Sequence, residues 1–409
     1  MLVSDARCDA GSLALGDGLE VLLSRKLDAL SPGQVLEIHA DDPAVEHDLR
    51  AWARFTAHSW KGMRVENGRA VCFIQRGSVQ RIITSVTPES EAVDPKQLVA
   101  AAASTIPDIA NPTTGFSPRG SIVEKGSPAF SFDVVNADQA WSPGASGFYD
   151  QAGASHWNAA TDIPWHALPS AEIEVERCVC QLMTFLAENE FAALYVPAKW
   201  IPRIHPHFVE TVMFLSTQIR DEARHIEVFV RRALANGVGL QFSSASTQRS
   251  LKTLLDREDF LEASFLLSVL GEGTFLDLLR FIETYAPDPV TAEIARRTRV
   301  DEARHVHFAI THMKHAVECD PALKRKLAAA ARDRASELAE VRAVNPLVEE
   351  SLVIVAAGGL HSSMLPTGVR AVRELYGSML ENRMKRLQLI GFSDADSEAL
   401  SQTHTPNFM

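Results

Sequence analysis

The chain has 409 residues, 46% of them apolar, and a formal net charge of −12. This length is enough for a large core and two or three domains, while the acidic balance argues against a nucleic-acid backbone as a partner. No apolar run is long enough to span a membrane, no secretory leader pattern occurs, and five scattered cysteines indicate no disulfide framework, so we expect a cytoplasmic protein without a membrane partner.

Residues 1–78 have the pattern of a small α+β domain with the order βαβαββ. Leucines from Leu19 to Leu30 mark one face of a helix, and Pro32-Gly33 ends it. The other predicted elements are a short strand near Leu2–Ala6, a strand around Leu36–Ala40, a helix from Pro43 to Ala57, and strands near Ser59–Val65 and Ala70–Gln75, joined by the turn Glu66-Asn67-Gly68.

This first domain resembles the TusA-like sulfur-carrier family through two stretches, Leu30–Ile38 and Ala40–Ala44. In that family a cysteine opens the first helix, where the helix N-terminus lowers the thiol pKa. Counting back from Pro32 places that cysteine at Gly16, and Cys8 lies eight residues earlier. The resemblance therefore implies the fold without its nucleophile, and we expect a docking or dimerisation module.

Residues 79–165 are predicted to be a long connecting segment. Proline, serine, glycine and alanine are frequent, and helical periodicity is weak except near Pro95–Ser104. A connection of this length is either disordered or functional. The aromatic residues between Phe148 and Trp165 favour an ordered segment that wraps around the next domain.

Residues 166–409 are predicted to form a helical domain, and they contain one pentapeptide twice. Asp-Glu-Ala-Arg-His occupies Asp221–His225 and again Asp301–His305. Residues i and i+3 share a helix face, so each copy places a carboxylate beside an imidazole. Two such pairs, with a glutamate from each of two further helices, make the ligand set of dinuclear metal sites in four-helix bundles.

The two further glutamates are sought in the apolar segments that precede each copy. Glu190 lies 32 positions before Glu222, and Glu272 lies 30 positions before Glu302. Such separations suit a helix, a short turn and an antiparallel helix that brings the second carboxylate level with the first. Pro202 and Pro206 interrupt the first hairpin. Pro287-Asp288-Pro289 interrupts the second and supplies a helix stop, an N-cap and a first-turn proline, while Glu188 is the alternative to Glu190.

Four glutamates on the inner faces of a bundle cannot be buried ionised without compensation, because an unpaired buried charge costs several kcal/mol. Two divalent cations would cancel these charges, whereas the alternative is a structural network of ion pairs. Carboxylate and imidazole ligands favour iron, with manganese as the second choice. Gly271 and Gly273 beside Glu272 indicate either a local widening of the helix next to the metal or close packing against a neighbouring helix.

These motifs resemble those of the ferritin-like di-iron carboxylate superfamily, which includes rubrerythrins, monooxygenase hydroxylases and N-oxygenases. The resemblance implies a mainly α, ferritin-like four-helix bundle with extra helices after the small α+β domain. It implies that the aspartate of each pentapeptide orients the histidine of the other copy, with the arginines pairing with those acids or facing solvent. The implied metal ligands are Glu190, Glu222, His225, Glu272, Glu302 and His305, and the implied outer residues are Asp221, Asp301, Arg224 and Arg304.

One departure from the family concerns a further histidine. The p-aminobenzoate N-oxygenase branch carries it one helical turn before the second Glu-x-x-His, where this chain has Thr298, and Gln218 is the equivalent residue in the first copy. A six-ligand site therefore fits better than a seven-ligand site. His307 and His312 follow at spacings that favour packing or surface roles.

The expected activity is that of a non-haem di-iron oxygenase or oxidase. It would hold two iron ions and use O₂ as co-substrate to hydroxylate, N-oxygenate or desaturate a small organic substrate. No dinucleotide-binding fingerprint is found, so electrons are expected from an external reductase or ferredoxin. The alternatives are a rubrerythrin-like peroxidase or ferroxidase and a non-catalytic, metal-stabilised scaffold. Predicted helices at 321–341, 351–357 and 369–389 would extend the bundle and build a homodimer.

Overall fold

A four-stranded sheet with two helices on one face forms the first part of the chain in this computed structural model, which describes residues 3–78, 106–123, 126–339 and 345–403. The strand order is β1-β2-β4-β3; β1 runs parallel to β2, and the other neighbours are antiparallel. The elements are β1 (Ala6–Gly11), α1 (Leu19–Asp28), β2 (Val35–Ala40), α2 (Val45–Phe55), β3 (Ser59–Glu66) and β4 (Arg69–Gln75).

The predicted order βαβαββ is confirmed, but the predicted position of the first strand is wrong. The strand was expected near Leu2–Ala6 and instead begins at Ala6. Cys8 and Ala10 are buried while Arg7 and Asp9 are exposed, so the alternation of burial begins later than the apolar start of the chain suggests. At the predicted turn, Asn67 and Gly68 both have positive φ, which suits a tight hairpin between β3 and β4.

The remaining described residues are mainly helical, as predicted. The chain divides into two compact units, Met1–Ala92 with Gly120–Gly126 and Val93–Arg119 with Ser127–Met409. The helices of the second unit are α3 (Ala137–Ala140), α4 (Ala145–Ala154), α5 (Ile173–Trp200), α6 (Val209–Ala235), α7 (Ala245–Leu255), α8 (Phe260–Ser264), α9 (Gly273–Tyr285), α10 (Pro289–Cys319), α11 (Leu323–Glu337), α12 (Pro346–Ala357), α13 (Leu365–Ile390) and α14 (Asp394–Thr403). None of the described helices is both long enough and apolar enough to cross a membrane.

Two helical hairpins form the centre of this unit, and both turns lie where prolines were expected to place them. The first joins α5 to α6 through residues 201–208, and the second joins α9 to α10. Asp288 caps α10 by accepting a hydrogen bond of 2.7 Å from the Thr291 backbone N–H, and Pro289 occupies the first helical turn. The interruption by Pro287-Asp288-Pro289 is therefore confirmed.

Between α8 and α9 the chain forms a π-helix, Phe265–Glu272, which we call the π segment. A π-helix is wider than an α-helix and usually marks a functional site. Its last residue is Glu272, so the local widening expected from the neighbouring glycines is present in the structure.

The helices predicted for the C-terminal part of the chain agree with the structure, except near residue 341 and at the last described helix. The apolar run at 351–357 belongs to α12, which Asn345 caps, and the helix expected at 369–389 is α13. The helix expected to reach Val341 ends at Glu337, and α14 was not predicted. The expectation for Pro95–Ser104 lies outside the described part of the chain.

A fully buried arginine ties α5, α6 and α10 together at one end of the hairpins. Arg232 donates to Glu176 at 2.5 Å, to Asp288 at 2.9 Å and to the Thr291 hydroxyl at 2.7 Å. Burial raises the pKa of Glu176, but the hydrogen bonds from Arg232 outweigh burial and hold the pKa below its ordinary value. Ionised Glu176 therefore stabilises the fold only in combination with Arg232.

We predict that Arg232→Met destabilises the protein by about 3–5 kcal/mol, because two buried carboxylates lose their counter-charge. The control is Arg231→Met, whose exposed i,i+4 pair with Glu227 contributes less than about 0.5 kcal/mol. Thermal unfolding followed by circular dichroism measures both. Because the pKa of Glu176 is depressed, the stability that ionised Glu176 contributes should be present above about pH 4.5 and be lost in acid. The difference in unfolding midpoint between the parent and Arg232→Met should therefore shrink in acid. Equal midpoints for the two variants at neutral pH would contradict the assignment.

Candidate metal centre

Four helical segments bring six side chains to one buried point. Each residue is less than a tenth exposed, and their donor atoms form two groups, within each of which all lie within 4.8 Å of one another. The first group is Glu190, Glu222, His225 and Glu302; the second is Glu222, Glu272, Glu302 and His305. Glu222 and Glu302 therefore belong to both groups.

The two shared carboxylates each face both imidazoles. Glu222 lies 2.9 Å from His225 Nδ1 through Oε2 and 3.0 Å from His305 Nδ1 through Oε1. Glu302 has the same arrangement, with Oε1 at 3.2 Å from His225 Nδ1 and Oε2 at 3.4 Å from His305 Nδ1. Glu190 lies 3.7 Å from His225 Nδ1, on the side of the first group. This geometry offers two adjacent cation positions, with two carboxylates that can bridge them.

The hydrogen bonding of these atoms fits a pair of cations. Buried atoms without a hydrogen-bond partner among the described residues include carboxylate oxygens of all four glutamates and Nδ1 of His305. Buried polar atoms are nearly always paired, and leaving one unpaired costs about 1–3 kcal/mol. Oxygen and imidazole nitrogen atoms that converge without donors are the ligands that iron and manganese accept.

Outside the six residues, two aspartates and two arginines form a closed ring of ion pairs. Arg224 donates to Asp221 at 2.6 Å and to Asp301 at 2.7 Å, and Arg304 donates to the same two acids at 2.6 and 2.9 Å. Each aspartate also contacts the histidine of the other pentapeptide. Asp301 lies 3.3 Å from His225 Nε2, and Asp221 lies 3.2 Å from His305 Nε2. These contacts aim Nδ1 of each imidazole at the glutamates.

This ring decides the charge balance of the centre. The two arginines neutralise the two aspartates, which leaves the charges of four glutamates without a fixed counter-charge among the described residues in contact with them. Two divalent cations carry the charge that balances four carboxylates. The alternative from the sequence, a self-sufficient network of ion pairs, describes the outer ring and not the inner six residues.

The pKa directions follow from this imbalance. Burial and the charges of Glu302 and Glu222 raise the pKa of Glu190, and burial with the same two carboxylates raises the pKa of Glu272. Burial alone would lower the pKa of His225, but the carboxylates around it raise that pKa well above its ordinary value, and the same holds for His305. Without metal, protons therefore supply the missing positive charge.

The remaining sequence candidates are placed as follows. Glu188 points away from the cluster, where it accepts hydrogen bonds from Ser243 and from Gln248 at 2.9 Å. Gln218 donates to Glu272 Oε1 at 2.8 Å, whereas the buried Thr298 hydroxyl has no partner among the described residues. His312 is buried and bonded to the Gln139 carbonyl at 2.9 Å, and burial lowers its pKa to about 4. His307 packs against Phe148 at a ring distance of 5.0 Å.

Sequence reasoning missed the residues that cover the outer ring. The Trp157 indole N–H donates to Asp301 at 2.7 Å, and its ring lies 4.7 Å from the Arg224 guanidinium. The Ser155 hydroxyl accepts from Arg304 at 2.9 Å, and the His156 ring lies 2.8 Å from Arg224. The aromatic stretch signalled an ordered wrapping segment, but nothing in it indicated which of its residues would reach the ring.

The two glycines beside Glu272 have different surroundings. A Cβ on Gly273 would lie 2.4 Å from Arg386 Nε, so this glycine allows close packing against α13 and does not open space for a metal. A Cβ on Gly271 would meet only the Leu266 carbonyl at 3.4 Å, an ordinary contact. The widening beside Glu272 is a property of the π segment.

A small cavity of about 10 Å³ lies against the cluster, on the side of α5 and the π segment. This volume suits about one water-sized molecule. Apolar walls from Ala193, Leu267 and Phe275 face polar atoms of Asn189 and the glutamates. The Asn189 side-chain carbonyl is buried and has no partner among the described residues.

Comparisons with known proteins give partial matches. No protein-family model matches the chain. A stretch of 57 residues is 37% identical to YrkF, a Bacillus subtilis (strain 168) protein provisionally named as a sulfur carrier. That stretch is 14% of this chain and 31% of YrkF, so the match spans about a third of that relative's length.

Solved structures similar to this chain include R2-like ligand-binding oxidases. One with an aerobically reconstituted metal cofactor after photoconversion gives a TM-score of 0.42 at 20% identity and covers 64% of this chain and 93% of that chain. A point variant with an aerobically reconstituted Mn/Fe cofactor gives a TM-score of 0.45 at 20% identity, covering 61% and 93%. These scores are too low to assign chemistry to this chain, so the proposal below depends on its own geometry.

We predict that Glu190→Gln lowers the number of metal ions bound per chain, because it removes the carboxylate that only the first group contains. Glu188→Gln is the matched control, since it alters a glutamate two residues away that faces Ser243 and Gln248. Metal analysis by mass spectrometry after loading with ferrous iron gives the readout. Full occupancy in Glu190→Gln, or an equal loss in Glu188→Gln, would contradict the ligand assignment.

We predict that Asp301→Asn weakens metal binding by about 10–100-fold, because it removes the charged acceptor that orients His225 and leaves the arginines undercompensated. Asp162→Asn, an exposed change in the same unit, is the control. Competition with a chelator of known affinity measures the change. An unaltered affinity in Asp301→Asn would show that the outer ring has no influence on the centre.

Proposed function

We propose that this chain is an oxidoreductase that holds two iron ions, or manganese in their place, and uses O₂ to oxidise a small organic substrate. The observation that carries the proposal is the inner cluster, in which two carboxylates face both imidazoles and four glutamates have no fixed counter-charge within the described part of the chain. Glu222 and Glu302 would bridge the ions. Glu190 with His225 and Glu272 with His305 would complete the two positions. When bound, the metal pair supplies the electrons and the coordination sites for reaction with O₂.

The protein's own contribution is to orient the ligands and to exclude water. The aspartates hold the imidazoles through Nε2, and the arginines keep those aspartates ionised at the back of the centre. Burial acts to lower the pKa of Arg304, but Asp221 and Asp301 outweigh burial and raise that pKa above its ordinary value, so Arg304 stays a cation there. On the side of the small cavity, Leu267 and Phe275 supply apolar wall beside the glutamates.

The size of the cavity bears on the substrate. A volume of about 10 Å³ admits a molecule such as O₂ or water but not an organic substrate. We therefore propose that a substrate enters only when a wall residue such as Leu267 moves. The same observation favours a second candidate, a rubrerythrin-like peroxidase or ferroxidase, because hydrogen peroxide and ferrous ions need no larger space.

Electrons would come from a separate reductase or ferredoxin, because the sequence offers no dinucleotide fingerprint. A homodimer built by the C-terminal helices is a further prediction. The match to a sulfur carrier supports the comparison of the first domain with the TusA-like family. For that domain we propose a docking role, since Gly16 stands where the family has its cysteine.

The test is O₂ consumption by protein loaded anaerobically with ferrous iron, in the presence of a chemical reductant and panels of small substrates. An oxygenase should consume more O₂ when a substrate is present and should transfer labelled oxygen from ¹⁸O₂ to the product or desaturate it. A ferroxidase should instead oxidise excess ferrous iron without a substrate, and a peroxidase should consume hydrogen peroxide faster than O₂.

The control variants lie on one helix. Glu222→Ala should abolish O₂ consumption because it removes a carboxylate from both groups, while Glu227→Ala, an exposed change five residues further along α6, should leave it unchanged. A parent protein that binds two metal ions per chain yet reacts with neither O₂ nor peroxide would contradict the proposal and favour a metal-stabilised scaffold.

A further inference from the structure

A second, larger pocket lies between α9, α10 and α13, on a different side of these helices from the small cavity. Its volume is about 710 Å³, within the range of about 300–1,000 Å³ common for small-molecule sites. Its walls come from residues 276–280, 303–314 and 382–389, and none of the six inner residues lines it. The pocket is therefore separate from the cluster of carboxylates.

The pocket concentrates positive charge in an acidic protein. Among the described residues that line it, four are cations and Asp277 is the one carboxylate, whereas the whole chain has a net charge of −12. Asp277 Oδ1 accepts from the Asn382 amide at 2.7 Å, and the Lys314 amine lies 3.9 Å from the carboxylate of Glu318, which is largely exposed. The cations are Arg280, Lys314, Lys385 and Arg386. Cations gathered in a concave site attract anions of small size.

Arg386 is the fixed member of this group. Its side chain is almost fully buried, Nε donates to the Val269 carbonyl at 3.1 Å, and Nη2 has no partner among the described residues. Gly273 accommodates the guanidinium, because any Cβ there would overlap it. Burial lowers the pKa of Arg386 to about 10, so the group remains a cation at neutral pH. A guanidinium held at the wall of a pocket, with no carboxylate hydrogen-bonded to it among the described residues, favours an anion as its ligand.

The rest of the wall is apolar. Leu276, Val306, Ile310 and Leu389 contribute hydrocarbon surface beside the cations. A bare inorganic anion would leave this surface wet, whereas a molecule with an apolar body and one anionic group would cover it. Charge and surface together select one class of ligand.

We propose that this pocket binds a small organic anion, a carboxylate or phosphate ester with an apolar body, whose charged group pairs with the guanidinium of Arg386 at the pocket wall. The exposed cations Arg280, Lys314 and Lys385 raise the local concentration of the anion and contribute to its binding. The ligand lies against α9 and α10, the helices that follow Glu272 and carry Glu302, without contacting the carboxylate cluster.

The test is isothermal titration calorimetry of the full chain with 2-naphthoate, its neutral analogue 2-naphthamide, 2-naphthyl phosphate and inorganic phosphate. We expect one site per chain, with naphthoate or naphthyl phosphate binding at least tenfold more tightly than the amide or inorganic phosphate. The stronger of the two organic anions identifies the charged group. Equal binding of acid and amide would refute the role of charge, and equal binding of inorganic and naphthyl phosphate would refute the role of the apolar wall.

Variants separate the site from general charge effects. Arg386→Gln should weaken binding by about 10–100-fold, the amount that corresponds to a charge-assisted hydrogen bond of about 1.5–3 kcal/mol. If that buried substitution unfolds the protein, the exposed double variant Arg280→Gln with Lys385→Gln tests the anion site in its place. This double variant should weaken binding at least fivefold. Arg373→Gln, an exposed change on α13 away from the pocket, is the matched control and should have no effect.

The test of anion binding does not depend on the proposed oxidative chemistry. Metal content should be the same in the parent, the double variant and the Arg373→Gln control, because none of these changes touches the inner residues. Failure of the double variant to weaken binding, or absence of binding by either organic anion at millimolar concentration, would overturn the anion site. Neither result would bear on the two-metal proposal.

Discussion

Four glutamates in a closed interior, without a fixed positive charge beside them among the residues that the structure describes, are the constraint on which this fold depends. The arginines that come closest are already paired with Asp221 and Asp301. Burying even one unpaired carboxylate costs several kcal/mol, so a fold that gathers four must be completed by cations or by protons. The helical hairpins, the spacing of the pentapeptides and the bridging positions of Glu222 and Glu302 are all consistent with completion by two divalent ions.

The centre is built from layers contributed by distant parts of the chain. Inner carboxylates come from four helical segments, the aspartates and arginines form a neutral ring behind the histidines, and Trp157 closes the ring from a segment that precedes the bundle. Hydrogen bonds at Nε2 fix which imidazole nitrogen faces the glutamates. The π segment completes the other side by placing Glu272 at its end. The ring therefore adds rigidity without adding charge.

Much of this centre could be predicted from the sequence because helix geometry is local. The i,i+3 spacing fixed the pairing within each pentapeptide, and a hairpin of about 30 residues brought Glu190 and Glu272 level with them. The start of the first strand was less predictable, because the alternation of apolar and polar residues gives only a weak signal over a few residues. The hydrogen bond of Trp157 to Asp301 and the packing of Arg386 over Gly273 could not be predicted, because they join residues more than a hundred positions apart.

The most direct test of the two-cation centre is anomalous X-ray diffraction from crystals of the iron-loaded full chain, measured on both sides of the iron absorption edge. We expect two anomalous peaks per chain, both between the carboxylates of Glu222 and Glu302, one beside Nδ1 of His225 and one beside Nδ1 of His305. A cluster without anomalous signal in the iron-loaded crystal would contradict the account.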